Sequence, residues 1–321
     1  MFRHHPVRLT EPFGLTIDYR RLVAPIEPIL NSLAVSGSGE HPATMDLVRP
    51  FHGLPHTDAK SHVQDCPDSI MSKKPSNVEA AYDGAPEREW GRLSYHRLEF
   101  EIAKRNLYTF LPPRTQILDT GGGPGRYAIA LAQKGHLVTL SDLSRGCLEL
   151  ARQKAQEATV HIQDFVHADA RDMSMFNDKA FEAVLCMGPV YHMVNADDRE
   201  QVIRECIRVL APGGLLFVTF ITSYAPLMRY VRNTPGQLGK GYDPMEFLPS
   251  GVHEPNQIIS GLPDAFFIHP TEVQPVMERF NLETLKVTGL EGIVMGIEST
   301  LNALPDSTFS YWVDLMYETA V

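Results

Sequence analysis

From about residue 76 onward, apolar positions fall into runs that alternate between helical and strand spacing. In SYHRLEFEIAKRNLYTFL, 94–111, Leu98, Ile102, Leu107 and Leu111 recur at helix spacing, and Pro112-Pro113 end the run. Residues 115–119 predict a first strand, 124–134 a helix, and HLVTLSD, 136–142, a second strand. Ser144 stands as an N-cap for a helix reaching Glu157. A third strand is expected near 159–164. FEAVLCMG, 181–188, is almost wholly apolar, as a parallel strand covered on both faces must be. A helix at 196–210 and LLFVTFI, 215–221, complete the regular part. Alternation of this kind predicts an α/β fold with a doubly wound, mainly parallel sheet.

The rhythm fails at both ends. Residues 222–268 are rich in Pro, Gly, Tyr and Phe and predict an inserted lid after strand five. Tyr224, Tyr230, Tyr242, Phe247, Phe266 and Phe267 suit either a cover over an apolar acceptor or a satellite core. A helix at 269–281, strand material at 282–294 with a hairpin around Gly289 and Gly292, and a terminal helix at 307–319 follow. Residues 1–75 hold nine of the 24 prolines and little periodicity, and predict an N-terminal extension that is mobile or loosely attached. The alternative is an arm that covers the active site or packs on a second copy as a homodimer. Ser76 and Glu79 resemble a capping box that opens the domain at 76–321.

Charge and cysteine content narrow the function. A net charge of −10 argues against nucleic acid, which needs clustered Lys and Arg. The four cysteines, Cys66, Cys147, Cys186 and Cys206, form no C-x-x-C pair, which fits reduced thiols and a cytoplasmic location without a zinc site. No apolar stretch is long enough to span a membrane, and no secretory leader is visible.

The chemistry centres on ILDTGGGPG, 117–125. A strand ends in Asp119, and Gly121, Gly123 and Gly125 make a tight turn into a helix, the layout of a nucleotide-binding βα unit. The third glycine comes one residue too early for a dinucleotide site. The carboxylate at the strand tip would repel a diphosphate and suits a ligand bearing ammonium or sulfonium charge. Asp142 closes strand two, where a carboxylate can accept two hydrogen bonds from a ribose diol, or alternatively cap the next helix.

With YDGAPEREWGRLSYHRLEFEI, GGGPGRYAIALA, MGPVYHM and VLAPGGLLFVTFIT, the chain resembles the class I S-adenosylmethionine-dependent methyltransferases over roughly 78–300. The resemblance implies a seven-stranded Rossmann-like sheet and S-adenosyl-L-methionine as cofactor, with S-adenosyl-L-homocysteine as product. It implies Asp142 and neighbouring Leu143 at the ribose, Asp169 and Ala170 at the adenine with Asp172 as a rival, and Met187 and Gly188 at the methionyl ammonium. Tyr82 near the sulfonium and Arg92 near the carboxylate would fold over the cofactor, the alternative being surface helix positions.

The acceptor side is less defined. Tyr191 and His192 follow strand four at the sheet's carboxyl edge, and His192 is the candidate base, with a core histidine as the alternative. His253 and His269 are weaker candidates. Cys-Met-Gly-Pro stands where metal-using relatives carry an acid, so no metal is expected. The expected function is methyl transfer to a small organic acceptor, with O- or N-methylation favoured. The alternatives are a non-methylating, pericyclase-type use of the cofactor and a non-catalytic partner subunit.

Overall fold

Strands whose side chains are apolar on both faces need cover on both faces. β1 (Gln116–Thr120), β2 (Leu137–Asp142) and β4 (Phe181–Cys186) bury almost every residue. The computed structural model describes residues 77–233, 235–237, 248–253 and 262–319. The 1–75 extension, Ser76, Tyr242 and Phe247 lie outside the described residues.

The main sheet has five strands in the order β3-β2-β1-β4-β5, all parallel, with β3 at Asp164–His167 and β5 at Leu210–Val218. Ile117, Leu131, Val138, Leu140 and Leu148 pack one face, with Leu107 from the helix ahead of β1. Leu118, Val184, Val202, Ile203, Cys206 and Met277 pack the other. The described helices are α1 (Asn77–Asp83), α2 (Pro86–Tyr95), α3 (Arg97–Phe110), α4 (Arg126–Gln133), α5 (Arg145–Glu157), the single turn α6 (Pro189–His192), α7 (Ala196–Val209), α8 (Tyr224–Asn233), α9 (Val273–Glu278), α10 (Glu298–Asn302) and α11 (Asp306–Thr319). Ser144 caps α5 by accepting from the Cys147 N–H at 3.0 Å, as its position predicts. A second, three-stranded sheet has the order β6-β8-β7, with β6 at Ile221–Thr222, β7 at Val252–His253 and β8 at Ala265–Ile268.

Several expectations are corrected. Among the described residues the central sheet has five strands, where seven are expected. The stretch expected as strand, 282–294, has no regular structure over 282–289 and a 3-10 turn at Gly292–Val294, so among the described residues β5 pairs with β4 alone. The single helix expected over 94–111 breaks at His96, whose ψ of 56° is not helical. β3 begins at Asp164, and Thr159, where a strand is expected to start, takes a left-handed φ of 54°. α7 runs straight into β5, whose pairing with β4 skips from Leu210 to Leu215, so Pro212, Gly213 and Gly214 form a bulge and not a loop. The 269–281 helix is reduced to a 3-10 turn at Pro270–Glu272 and α9.

Candidate cofactor site

The site is built on the carboxyl edge of β1, β2 and β4. Gly121, Gly123 and Gly125 all take positive φ (65°, 56° and 85°), so the chain turns where only glycine turns without strain. A Cβ on Gly121 would run into the Pro189 ring, 2.6 Å from its Cδ. A Cβ on Gly122 would meet Leu140 and lie 2.7 Å from the Asp119 carboxylate. The Gly121 N–H donates to the Ser141 carbonyl at 2.8 Å, which docks the turn on β2. From the tip of β2, Asp142 accepts from the Gly123 N–H at 2.8 Å and from the Ser144 N–H at 2.7 Å. It therefore joins the glycine turn to the start of α5, the capping alternative raised above, while still facing the cavity.

Two acids thus sit in one dry place. Asp119 is fully buried, and neither oxygen makes a full hydrogen bond. Burial, then repulsion from Asp142, pushes its carboxyl up to about 7, with the Ala128 N–H pulling weakly the other way. Burial raises Asp142 to about 6 against its two N–H donors. Of the two arginines on the cavity wall, Arg92 bonds Glu89 at 2.7 Å and Glu99 at 3.0 Å, and Arg126 stacks over the Trp90 and Phe100 rings at 4.7 and 4.9 Å. An orphaned buried carboxylate beside a second acid and a close-packed glycine turn fits a cationic, adenosine-type cofactor; it does not fit a phosphate.

Helices α1 and α2 cover the cavity. The Tyr82 hydroxyl meets His192 Nε2 at 2.8 Å, and Asp83 accepts from the Ser144 hydroxyl at 2.6 Å and the Gly146 N–H at 2.9 Å. His192 Nδ1 lies 2.8 Å from the Asp264 carbonyl, which can only accept, so Nδ1 carries the proton and Nε2 receives the Tyr82 hydrogen. Burial holds the imidazole down at about 4, although the Asp264 carbonyl favours the charged form. Both ring nitrogens are therefore occupied, and the ring is neutral near pH 7.

All the residues expected at the cofactor except Gly125 line this one cavity: Tyr82, Arg92, Asp119, Gly121, Gly123, Asp142, Leu143, Asp169, Ala170, Met187 and Gly188. Gly125 lies behind it as the left-handed residue ahead of α4. Asp169 faces the cavity and pairs with Arg171 at 2.6 Å, while its rival Asp172 is exposed and bonds the Ser174 N–H. Tyr191 and His192 also reach the wall. His253 is fully buried within the small sheet, on β7, and His269 caps a 3-10 turn; neither lines the cavity. Phe267 is core, and Phe266 lies under Arg199, 3.6 Å from its ring centre. Tyr224 is half exposed.

Asp83, Glu89 and Glu99 were not singled out from the sequence. The i, i+3 spacing of Glu89 and Arg92 was a readable signal, whereas Asp83 reaches α5 only through tertiary folding. Among the described residues, His96, Glu291 and Glu298 gather three potential metal ligands within 4.8 Å. His96 Nδ1 is 2.9 Å from Glu291; burial lowers the imidazole's pKa, but the Glu291 bond and charge outweigh it and raise it, so the group reads as an ion pair.

A second cavity of about 590 Å³ adjoins the first and shares Arg92, Tyr127, Met187 and Tyr191 with it. Its floor is β5, and the irregular segment 284–291 forms the opposite wall.

Residues 117–214 match a family described as a methyltransferase domain. Over 175 residues the chain is 27% identical to a ubiquinone biosynthesis O-methyltransferase of Vibrio atlanticus, covering 54% of this chain and 66% of that protein. It is 32% identical over 120 residues to a tRNA 5-carboxymethoxyuridine methyltransferase of Escherichia coli, covering 36% of this chain and 44% of that one. A solved SAM-dependent methyltransferase from Methanosarcina mazei aligns with a TM-score of 0.43 at 21% identity, covering 54% and 82% of the two chains. The matched stretch runs from β1 into β5 and so takes in the Rossmann-like parallel sheet. S-adenosyl-L-methionine is the cofactor that this domain match supports, and the acidic, glycine-turned cavity suits it. Among the described residues no helix is long and apolar enough to cross a membrane.

Proposed function

We propose that this chain transfers a methyl group from S-adenosyl-L-methionine to a small organic acceptor by in-line displacement. The observation that carries the reading is Asp119: a buried, unpartnered carboxylate at a strand tip, next to Asp142, on the wall of the cavity. When bound, the cofactor supplies a methyl carbon activated by a sulfonium. The protein's own work is placement and exclusion of water, which can lower such a barrier by roughly 7–11 kcal/mol in favourable cases. Asp119 and Asp142 favour the positively charged ligand. The glycine turn lets the backbone approach it, and Tyr82 and Asp83 hold the cover shut. Tyr191 lines both cavities, so it is assigned to the acceptor. His192 supports the cover as a neutral ring and can take a proton at Nε2 only when Tyr82 lets go.

The O-methyltransferase and tRNA relatives leave two acceptor classes. The walled cavity next to the cofactor site supports a small molecule. Incubating the full chain with methyl-labelled cofactor and either a metabolite extract or bulk tRNA tests this. Label in a small molecule is the expected result. Label in tRNA alone would overturn the acceptor class, and label in neither the transfer itself.

A further inference from the structure

The larger cavity has a charged wall with one member left over. Its charged side chains are Arg92, His96, Glu99, Lys286 and Glu291. Four of them pair with one another, Arg92 with Glu99 at 3.0 Å and His96 with Glu291 at 2.9 Å. Lys286 has no acid partner among the described residues, and its ammonium stands 4.0 Å over the Tyr317 ring. Asp314, one turn before Tyr317 on α11, is taken by Arg105 at 2.7 Å. A ring face attracts a cation but carries no net charge, so Lys286 is left to match an anion.

Helix α3 runs the length of the cavity and measures it. Glu99, in its first turn, meets Arg92 where the cavity joins the cofactor site. The Tyr317 hydroxyl lies 3.3 Å from Thr109 Oγ1, in its last turn, which puts Lys286 at the far end. From Glu99 to Thr109 the helix rises about 15 Å. Leu107, Phe110, Phe217 and Leu290 make much of the wall apolar. The near end is rich in acid: Glu89 and Glu99 share one Arg92, and Glu291 and Glu298 share one His96. A carboxylate is repelled from that end and drawn to Lys286, so the charges orient a guest as well as select it.

We infer that this cavity binds the methyl acceptor as an elongated apolar carboxylic acid, with its carboxylate on Lys286 and its methyl-accepting oxygen or nitrogen at the Tyr191 end. The inference rests on the methyl-transfer reading. In that reaction the accepting atom forms a bond to the methyl carbon as the carbon–sulfur bond breaks. The electron pair stays on sulfur as a neutral thioether, and the proton that the acceptor carried passes to water. Lys286 touches none of the reacting atoms. It sets specificity by holding the remote end, which keeps the accepting end in line with the sulfonium. The volume of about 590 Å³ accommodates such a molecule.

The test uses the full chain saturated with S-adenosyl-L-homocysteine and titrated calorimetrically with 12-hydroxydodecanoate, the shorter 6-hydroxyhexanoate and the uncharged 1,12-dodecanediol. The long hydroxy acid should bind at least tenfold more tightly than either of the others. Lys286→Met keeps the stem and removes the charge; it should weaken the long acid about tenfold and leave the diol and S-adenosyl-L-homocysteine unchanged, while Lys286→Arg keeps the parent's preference. The retained S-adenosyl-L-homocysteine affinity also shows that the variants fold. A diol or short acid that binds as tightly as the long acid, no binding of the long acid, or long-acid affinity untouched by Lys286→Met overturns the inference. Absence of heat for S-adenosyl-L-homocysteine instead overturns the transfer reading, while the same titrations of the unloaded chain still read the cavity.

Discussion

Asp119→Asn is the most direct probe of the pocket. The carboxyl is raised from its ordinary 3.8 to about 7, chiefly by burial and then by Asp142. At about 1.4 kcal/mol per pH unit, ionising it in the fold costs about 4 kcal/mol, an upper bound because part of the repulsion is shared with Asp142. Between pH 4 and pH 7 the folded chain keeps a proton that the unfolded chain has released. Stability should therefore fall as pH rises through that window and level off above it. Asn has the same shape without the charge, so the variant should lose the part of that slope above about pH 6, where Asp142 no longer contributes, and be more stable than the parent at pH 8. Urea unfolding of the cofactor-free chain at pH 5, 6, 7 and 8 measures both. A cationic cofactor reverses the balance, since it favours the ionised carboxylate. Binding to the parent near pH 6 should release protons, seen by calorimetry in two buffers of different ionisation enthalpy, and the variant should release fewer and bind at least tenfold more weakly. A variant less stable than the parent at pH 8 that binds the cofactor equally well would refute the account of the pocket.

Other substitutions separate the remaining parts. Gly122→Ala drives a Cβ against Leu140 and Asp119, so thermal unfolding should show a loss of about 1–3 kcal/mol and cofactor titration a collapse of affinity. Asp142→Asn faces two N–H donors with one acceptor oxygen, and chemical unfolding should register a loss of about 1–3 kcal/mol. Tyr82→Phe combined with Asp83→Ala removes the fastenings of the cover; stopped-flow release of cofactor should quicken about tenfold or more, and an unchanged rate would mean that α1 does not gate the site. With its imidazole at about 4, His192 does not titrate near neutrality, so His192→Gln should lower kcat/KM without reshaping the pH profile between 6 and 9.

The cofactor half of the site was legible because its signals are local. Glycine spacing, an acid at a strand end and a serine cap each act within a few residues, and the folded chain brings Asp119, Asp142, Asp169 and Met187 to one cavity. The central strands were legible for the same reason, being apolar on both faces. What failed depended on distant partners. The alternation in 282–294 looks like a strand, yet a strand exists only when an edge pairs with it, and here a cavity intervenes. His96 breaks a helix whose apolar spacing runs through it, while its ring pairs with Glu291 far along the chain.

The strut through His192 has an asymmetry with practical weight. At one end it grips a main-chain oxygen, which any amino acid at position 264 presents equally well. At the other it needs a phenol of one length from Tyr82. A change of side chain at 264 thus leaves the His192 strut in place and removes only the 3.4 Å bond that Asn77 of the cover donates to the Asp264 carboxylate, whereas a single methylene lost or gained at position 82 or 192 disconnects the strut. For engineering a wider substrate range, the tolerant end is the place to cut.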